Sequence, residues 1–203
     1  MQLLLTSSGL STENIIKTLF SLLNKPEKEI KVQIMAVNNP NWDIKEYFNM
    51  DKQKLISKGV KPEIIYENEL GEKKPPNLQS IDVLLMLGGN TYHYMHYIRK
   101  HGFEAKIRDF LDGGGVYVGR SAGSIIMGPD VENVKHWSNF NTNDIGLNDT
   151  SGLGFVDFIT IPHIDTMEEP QKVIEYHRKS GKKMIYLTDE QAVLFIDGFY
   201  KII

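Results

Sequence analysis

The sequence contains no cysteine among its 203 residues. That one absence excludes disulfides, thiolate zinc sites and a cysteine nucleophile. Long apolar runs are missing too: no stretch approaches the roughly 18 residues that a membrane-crossing helix requires. The opening Met1-Gln2-Leu3-Leu4-Leu5-Thr6-Ser7-Ser8-Gly9 carries no basic residue, and its apolar part is too short for a secretory signal. A cytoplasmic protein without a membrane partner is therefore expected. Nor is there a basic excess. Lysine and arginine number 23 against 26 acids, a net charge of −3, which is not the balance of a chain that neutralises phosphates, so no nucleic-acid partner is expected. Internal repeats and low-complexity linkers are also lacking. What remains is 41% hydrophobic and 24% charged. This is enough apolar surface for a core and too little charge density for disorder. The length fits a single domain over residues 1–203.

Short apolar runs alternate with amphipathic stretches. Strands are expected at residues 3–5, 32–37, 64–66, 83–87, 116–118, 158–161, 184–187, 192–196 and 199–203. Helical periodicity covers 11–23, 43–58, 91–100, 103–111 and 169–179, and a further helix is expected after Ser121. Residues 67–79 read as a polar connector, and 128–155, rich in Gly, Asn and Asp, as a surface loop. Asp197-Gly198 is a hairpin turn signal between the last two strands. The pattern specifies an α/β fold: a doubly wound, mostly parallel sheet with helices on both faces and a C-terminal antiparallel hairpin. In such sheets the working site lies beyond the carboxyl ends of the strands.

Gly119-Arg120-Ser121-Ala122-Gly123 sits at such an end. It fits the G-x-S-x-G nucleophile elbow, with a buried strand before it and an apolar helical stretch after it. The alternative reading of Ser121 is a helix N-cap in a tight turn. Gly88-Gly89-Asn90 closes the preceding strand. Backbone N–H groups of Gly89 and Ala122 would together form an oxyanion hole, and Asn90 suits both a substrate contact and a helix N-cap. Of six histidines, His163 alone directly follows an expected strand, in Ile161-Pro162-His163, and is the expected base. His93 and His96 lack a third ligand, so neither a metal nor another cofactor is expected. His101 and His177 lie near helix C-termini, and His136 lies in the 128–155 loop facing solvent. Two acids compete to orient the imidazole: Glu190, just after a strand, and Asp144, in a loop. Glu190 is preferred, and Asp144 is then a substrate contact. Arg120, beside the nucleophile, is the nearest candidate cation.

Taken together, Gly88-Gly89-Asn90-Thr91, the Gly119–Gly123 elbow, Thr142-Asn143-Asp144, Ile161-Pro162-His163 and Asp189-Glu190 resemble the dipeptidase E (α-aspartyl dipeptidase) family of serine peptidases, relatives of cyanophycinase. The resemblance implies an architecture like that of class I glutamine amidotransferases, with serine in place of cysteine. It also implies Ser121 as nucleophile, His163 as base, Glu190 as orienting acid, Gly89 and Ala122 as oxyanion donors, and Asp144 close to the site. The expected activity is hydrolysis of short peptides. The alternatives are a cyanophycinase-like or esterase-type hydrolase on the same site, or a catalytically silent binding protein. A homo-oligomer is compatible with the sequence. One departure bears on substrate. Aspartyl dipeptidases carry an arginine shortly after the histidine, whereas residues 164–172 here hold Asp165, Glu168 and Glu169 and only Lys172 as a cation. Neutral or basic first residues are therefore expected to be accepted at least as well as aspartate.

Overall fold

The computed structural model describes residues 1–37, 44–136 and 141–203. Seven strands form one sheet in the order β3-β2-β4-β5-β1-β8-β9. They are β1 (Gln2–Thr6), β2 (Val32–Val37), β3 (Ile65–Leu70), β4 (Val83–Met86), β5 (Val116–Arg120), β8 (Ala192–Ile196) and β9 (Phe199–Ile202). The first five pair in parallel, while β8 runs antiparallel between β1 and β9. Two short strands, β6 (Ile159–Ile161) and β7 (Met184–Tyr186), stand apart as a parallel pair of their own. Among the described residues six α-helices accompany them: α1 (Glu13–Ser21), α2 (Ile44–Ser57), α3 (Thr91–Lys100), α4 (Phe103–Asp112), α5 (Ala122–Ile125) and α6 (Pro170–Ser180). Among the described residues no helix is long and apolar enough to cross a membrane.

The period of two along each strand sorts the core into two layers. Leu3, Leu5, Leu84, Met86 and Tyr117 pack on one face with α3, α4 and α5, through Tyr94, Ile98, Phe103, Ile107 and Ile125. Leu4, Val83, Leu85, Val116 and Val118 pack on the other with α1 and α2, through Ile15, Leu19, Phe48 and Leu55. Both faces being covered is why the central strands read as unbroken apolar runs. A third small core, Ile159, Ile161, Val173 and Met184, lies beneath the β6–β7 pair and α6.

Three expectations need correction. The stretch before His163 does not join the main sheet; β6 pairs with β7 alone. Three-residue strands carry too little pattern to say which partner they take, and the pairing is decided by tertiary packing. Residues 67–70 are not connector but the outer half of β3, whose Tyr66, Glu67, Asn68 and Glu69 are exposed at the sheet edge. Charge on an edge strand discourages pairing with other chains. The 128–155 stretch is not simply surface loop, since Val131, Val134, Leu153 and Phe155 are buried in the larger core and Asp130 bridges to Ser151. The expected helix start at Asp43 lies outside the described residues.

Candidate active site

The carboxyl ends of β1, β4 and β5 lie side by side, because Leu5 pairs with Gly119 and Met86 with Gly119 from the other side. The chain leaves these three ends as Ser7, Gly88-Gly89 and Ser121, so the sheet itself brings the elbow and the glycine turn together.

Ser121 carries φ 49° and ψ −108°, a region that costs a non-glycine residue free energy and survives only when its surroundings hold it. They do so here through Thr6. Its carbonyl accepts from Ser121 N at 3.0 Å and from Ser124 Oγ at 2.8 Å, and its hydroxyl donates to the Gly119 carbonyl at 2.8 Å. Tyr117 donates its buried hydroxyl to the Gly123 carbonyl at 2.6 Å; burial keeps that phenol's pKa well above its ordinary value. The two flanking glycines are required sterically. A Cβ on Gly119 would lie 2.7 Å from Gly123 and Ser124 backbone atoms, and one on Gly123 would lie 2.2 Å from the Met86 carbonyl oxygen.

His163 Nε2 lies 3.0 Å from Ser121 Oγ. On the other side of the ring, Nδ1 lies 2.5 Å from Asp189 Oδ1. The acid that the structure places on the imidazole is thus Asp189, not the expected Glu190. The reason is the turn after β7. Gln191 N donates to the Thr188 carbonyl at 3.0 Å, and the Gln191 side chain accepts from Thr188 N at 3.0 Å. Asp165 accepts from Asp189 N at 3.1 Å. That tight turn aims Asp189 inward and leaves Glu190 exposed, without a hydrogen bond or ion pair among the described residues. Partial burial pushes the Asp189 carboxyl up, but hydrogen bonds from Ser8 and Ser7 and the neighbouring His163 outweigh it, so its pKa lies below the ordinary carboxylate value.

Ser7 was not anticipated. Its fully buried hydroxyl donates to Asp189 Oδ1 at 2.8 Å and accepts from His163 N at 2.8 Å. The only signal for it was its place, in a polar run directly after a buried strand at the working end of the sheet.

Gly89 has φ 152°, and a Cβ there would lie 2.7 Å from Val37. The turn is held by the buried Tyr94 hydroxyl, which donates to the Leu87 carbonyl at 2.9 Å. Among the described residues neither Gly89 N–H nor Ala122 N–H donates to a protein acceptor. Asn90 is 3% exposed and spends its side chain on structure: Oδ1 caps α3 by accepting from Tyr92 N and His93 N, and Nδ2 donates to the Thr142 carbonyl at 2.7 Å. It is a cap tying the 141–144 loop down rather than a side chain offered to substrate. Asp144 in that loop meets His93 Nε2 at 2.7 Å, and this hydrogen bond holds its carboxyl below the ordinary range. Arg120 points to the opposite face of the sheet. Its Nη1 lies 3.2 Å from the carboxylate of Asp51, which is itself buried and also accepts from Leu10 N at 2.9 Å. Lys172 pairs with Glu169 in solvent.

The remaining histidines have local partners. His96 meets Tyr97 edge-on, His101 Nε2 lies 2.7 Å from the Gly71 carbonyl, and His177 Nδ1 lies 2.6 Å from the Tyr186 hydroxyl. His136 does not face solvent freely but stacks on Tyr176, with ring centroids 4.2 Å apart. Among the described residues no three His, Asp or Glu side chains converge as a metal-binding group would.

Known proteins share this arrangement of chain. An uncharacterized peptidase of Listeria monocytogenes is 28% identical over 157 residues, covering 75% of either chain. A peptidase E of Shewanella amazonensis is 29% identical over 146 residues, 58% of this chain and 59% of that one. A crystal structure of a provisionally named peptidase E protein from Listeria monocytogenes superposes over all of this chain and 97% of its own, with a TM-score of 0.80 at 20% identity. That of a peptidase from an acI-B1 actinobacterium gives a TM-score of 0.70 at 15% identity, over 86% of its length. Both share the fold. The model of peptidase family S51 matches residues 3–203, and with nearly the whole sequence matched, the chain belongs to peptidase family S51.

Proposed function

We propose that the chain is a serine peptidase that hydrolyses short peptides through Ser121, His163 and Asp189. The observation that carries this reading is the line of contacts Ser121 Oγ–His163 Nε2–His163 Nδ1–Asp189 Oδ1, at 3.0 and 2.5 Å. An ionised Asp189 accepts a proton-bearing Nδ1, which leaves the Nε2 lone pair facing the serine. Ser121 Oγ attacks the scissile carbonyl carbon while its proton passes to Nε2. The oxyanion that forms is taken by the N–H groups of Gly89 and Ala122. The tetrahedral intermediate collapses as His163 returns the proton to the leaving amine, giving an ester on Ser121. Water, deprotonated by the same nitrogen, then attacks the ester, and the acid is released as His163 returns that proton to Ser121 Oγ.

The surroundings of the base favour one substrate class. Arg120 is engaged by Asp51 and Lys172 by Glu169, while Asp165, Glu168 and Glu169 are exposed just after His163. The segments 38–43 and 137–140 contain no lysine or arginine. A substrate side-chain carboxylate beside His163 would meet like charge, which disfavours it. Dipeptides of the form X-Leu with neutral or basic X are expected to be cleaved with a kcat/KM at least equal to that of Asp-Leu. A marked preference for Asp-Leu across such a panel would refute this specificity. Failure to cleave any member, with hydrolysis of simple esters intact, would favour the esterase reading.

A further inference from the structure

A hydroxyl has one proton to give, and Ser7 gives it to Asp189 Oδ1 at 2.8 Å. Its oxygen is then an acceptor, and it receives the main-chain N–H of His163, also at 2.8 Å. One buried atom therefore touches both the residue that carries the base and the carboxylate that orients it. His163 stands at φ 62°, in the left-handed region that side-chain-bearing residues avoid. Ser7 holds its N–H there, Thr166 N donates to its carbonyl at 3.1 Å, and Ile164 N donates to the Leu187 carbonyl at 3.1 Å. Ser7 is itself fixed, lying at the end of central strand β1 with its own N–H on the Gln191 carbonyl at 3.2 Å.

We infer that Ser7 is a positioning residue: its single hydroxyl locks the His163 main chain and the Asp189 carboxylate to one another, holding the ring proton on Nδ1 and Nε2 on Ser121. This rests on the proposed roles of Ser121, His163 and Asp189. With Ser7 gone, Asp189 loses a donor that fixes its rotamer. The strained His163 backbone also loses the acceptor for its N–H. The ring can then turn away from Ser121 although every group that touches substrate is still present. Binding of the ground state does not depend on that geometry, so the loss belongs in kcat rather than KM.

The test uses Ser7→Ala, Ser7→Cys and Ser7→Thr in the full chain, with Ser121→Ala alongside. Cysteine nearly preserves the shape but is a poor donor and acceptor; threonine keeps the hydroxyl. The alanine and cysteine variants are expected to lose about 10- to 100-fold in kcat, the scale of loss when an outer partner that orients a metal-bound histidine is removed. KM should stay within about twofold, and a fluorophosphonate should phosphonylate Ser121 more slowly by the same factor. Threonine should recover most of the rate. A merely structural serine would lower the melting temperature and leave kcat per folded molecule unchanged, and that result in either variant overturns the inference. Should Ser7→Ala fail to fold, Ser7→Cys decides alone. Full activity in Ser121→Ala would instead bring down the underlying mechanism, which separates the two failures.

Discussion

Replacing Ser121 by alanine is expected to lower kcat on a cleavable dipeptide by at least about three orders of magnitude, roughly 4 kcal/mol of transition-state stabilisation. The loss would be chemical rather than structural. The hydrogen bond of the Ser121 side chain is the one to His163 Nε2, whereas the elbow is held by Ser121 N on Thr6 and by the Thr6, Ser124 and Tyr117 side chains. Alanine keeps all of those and fits the same backbone angles no worse than serine does. Thermal unfolding should therefore be nearly unchanged, and KM should change far less than kcat. What residual rate survives would come from the Gly89 and Ala122 N–H groups and substrate positioning alone. Turnover within about tenfold of the parent would remove Ser121 from the mechanism.

Asp189→Asn is expected to cost about three to four orders of magnitude in kcat, and Glu190→Gln less than about twofold. An asparagine here presents its amide either way round. With Nδ2 toward His163, it forces Nδ1 to accept and moves the ring proton to Nε2, where it blocks the approach of Ser121. With Oδ1 toward the ring the tautomer survives, but the imidazolium formed during attack loses its counter-charge. Ser7 and Ser8 already donate to this carboxyl group, so the neutral amide also crowds donor against donor. The Asp189 carboxyl titrates below the ordinary range, so the aspartate stays charged, and able to stabilise the imidazolium, throughout neutral and mildly acidic conditions. Kinetics of the two variants side by side check the assignment. A large loss in Glu190→Gln with Asp189→Asn near normal would reverse it.

That neighbouring pair shows where the sequence stops being informative. The strands, the elbow and the histidine were legible because each is a local pattern. Alternating apolar residues such as Leu3, Leu4 and Leu5 sort themselves onto two faces. Gly119 and Gly123 sit where a Cβ has no room, and His163 follows a buried run. Choosing between Asp189 and Glu190 is different in kind. Past the end of β7 the period of two no longer applies, and which acid turns inward is set by Gln191, Asp165 and Ser7, the last two far away in sequence. Partnering of β6 with β7 rather than with the seven-stranded sheet is likewise a long-range choice. By position alone Asn90 suits a substrate contact as well as a helix N-cap, and Arg120, inside the elbow, is the nearest candidate cation. Their side chains are drawn off by a helix end and by Asp51, partners that only the fold supplies. Ser7 carried no motif at all, only a position at the end of β1.

Covalent labelling tests whether Ser121 is an activated nucleophile. The full chain is incubated with a fluorophosphonate at neutral pH, and the intact mass and the modified peptide are determined. One phosphonyl group per chain is expected, located on Ser121, absent in Ser121→Ala and formed far more slowly in Asp189→Asn. A chain that takes up no label, or takes it up on a serine other than Ser121, would contradict it.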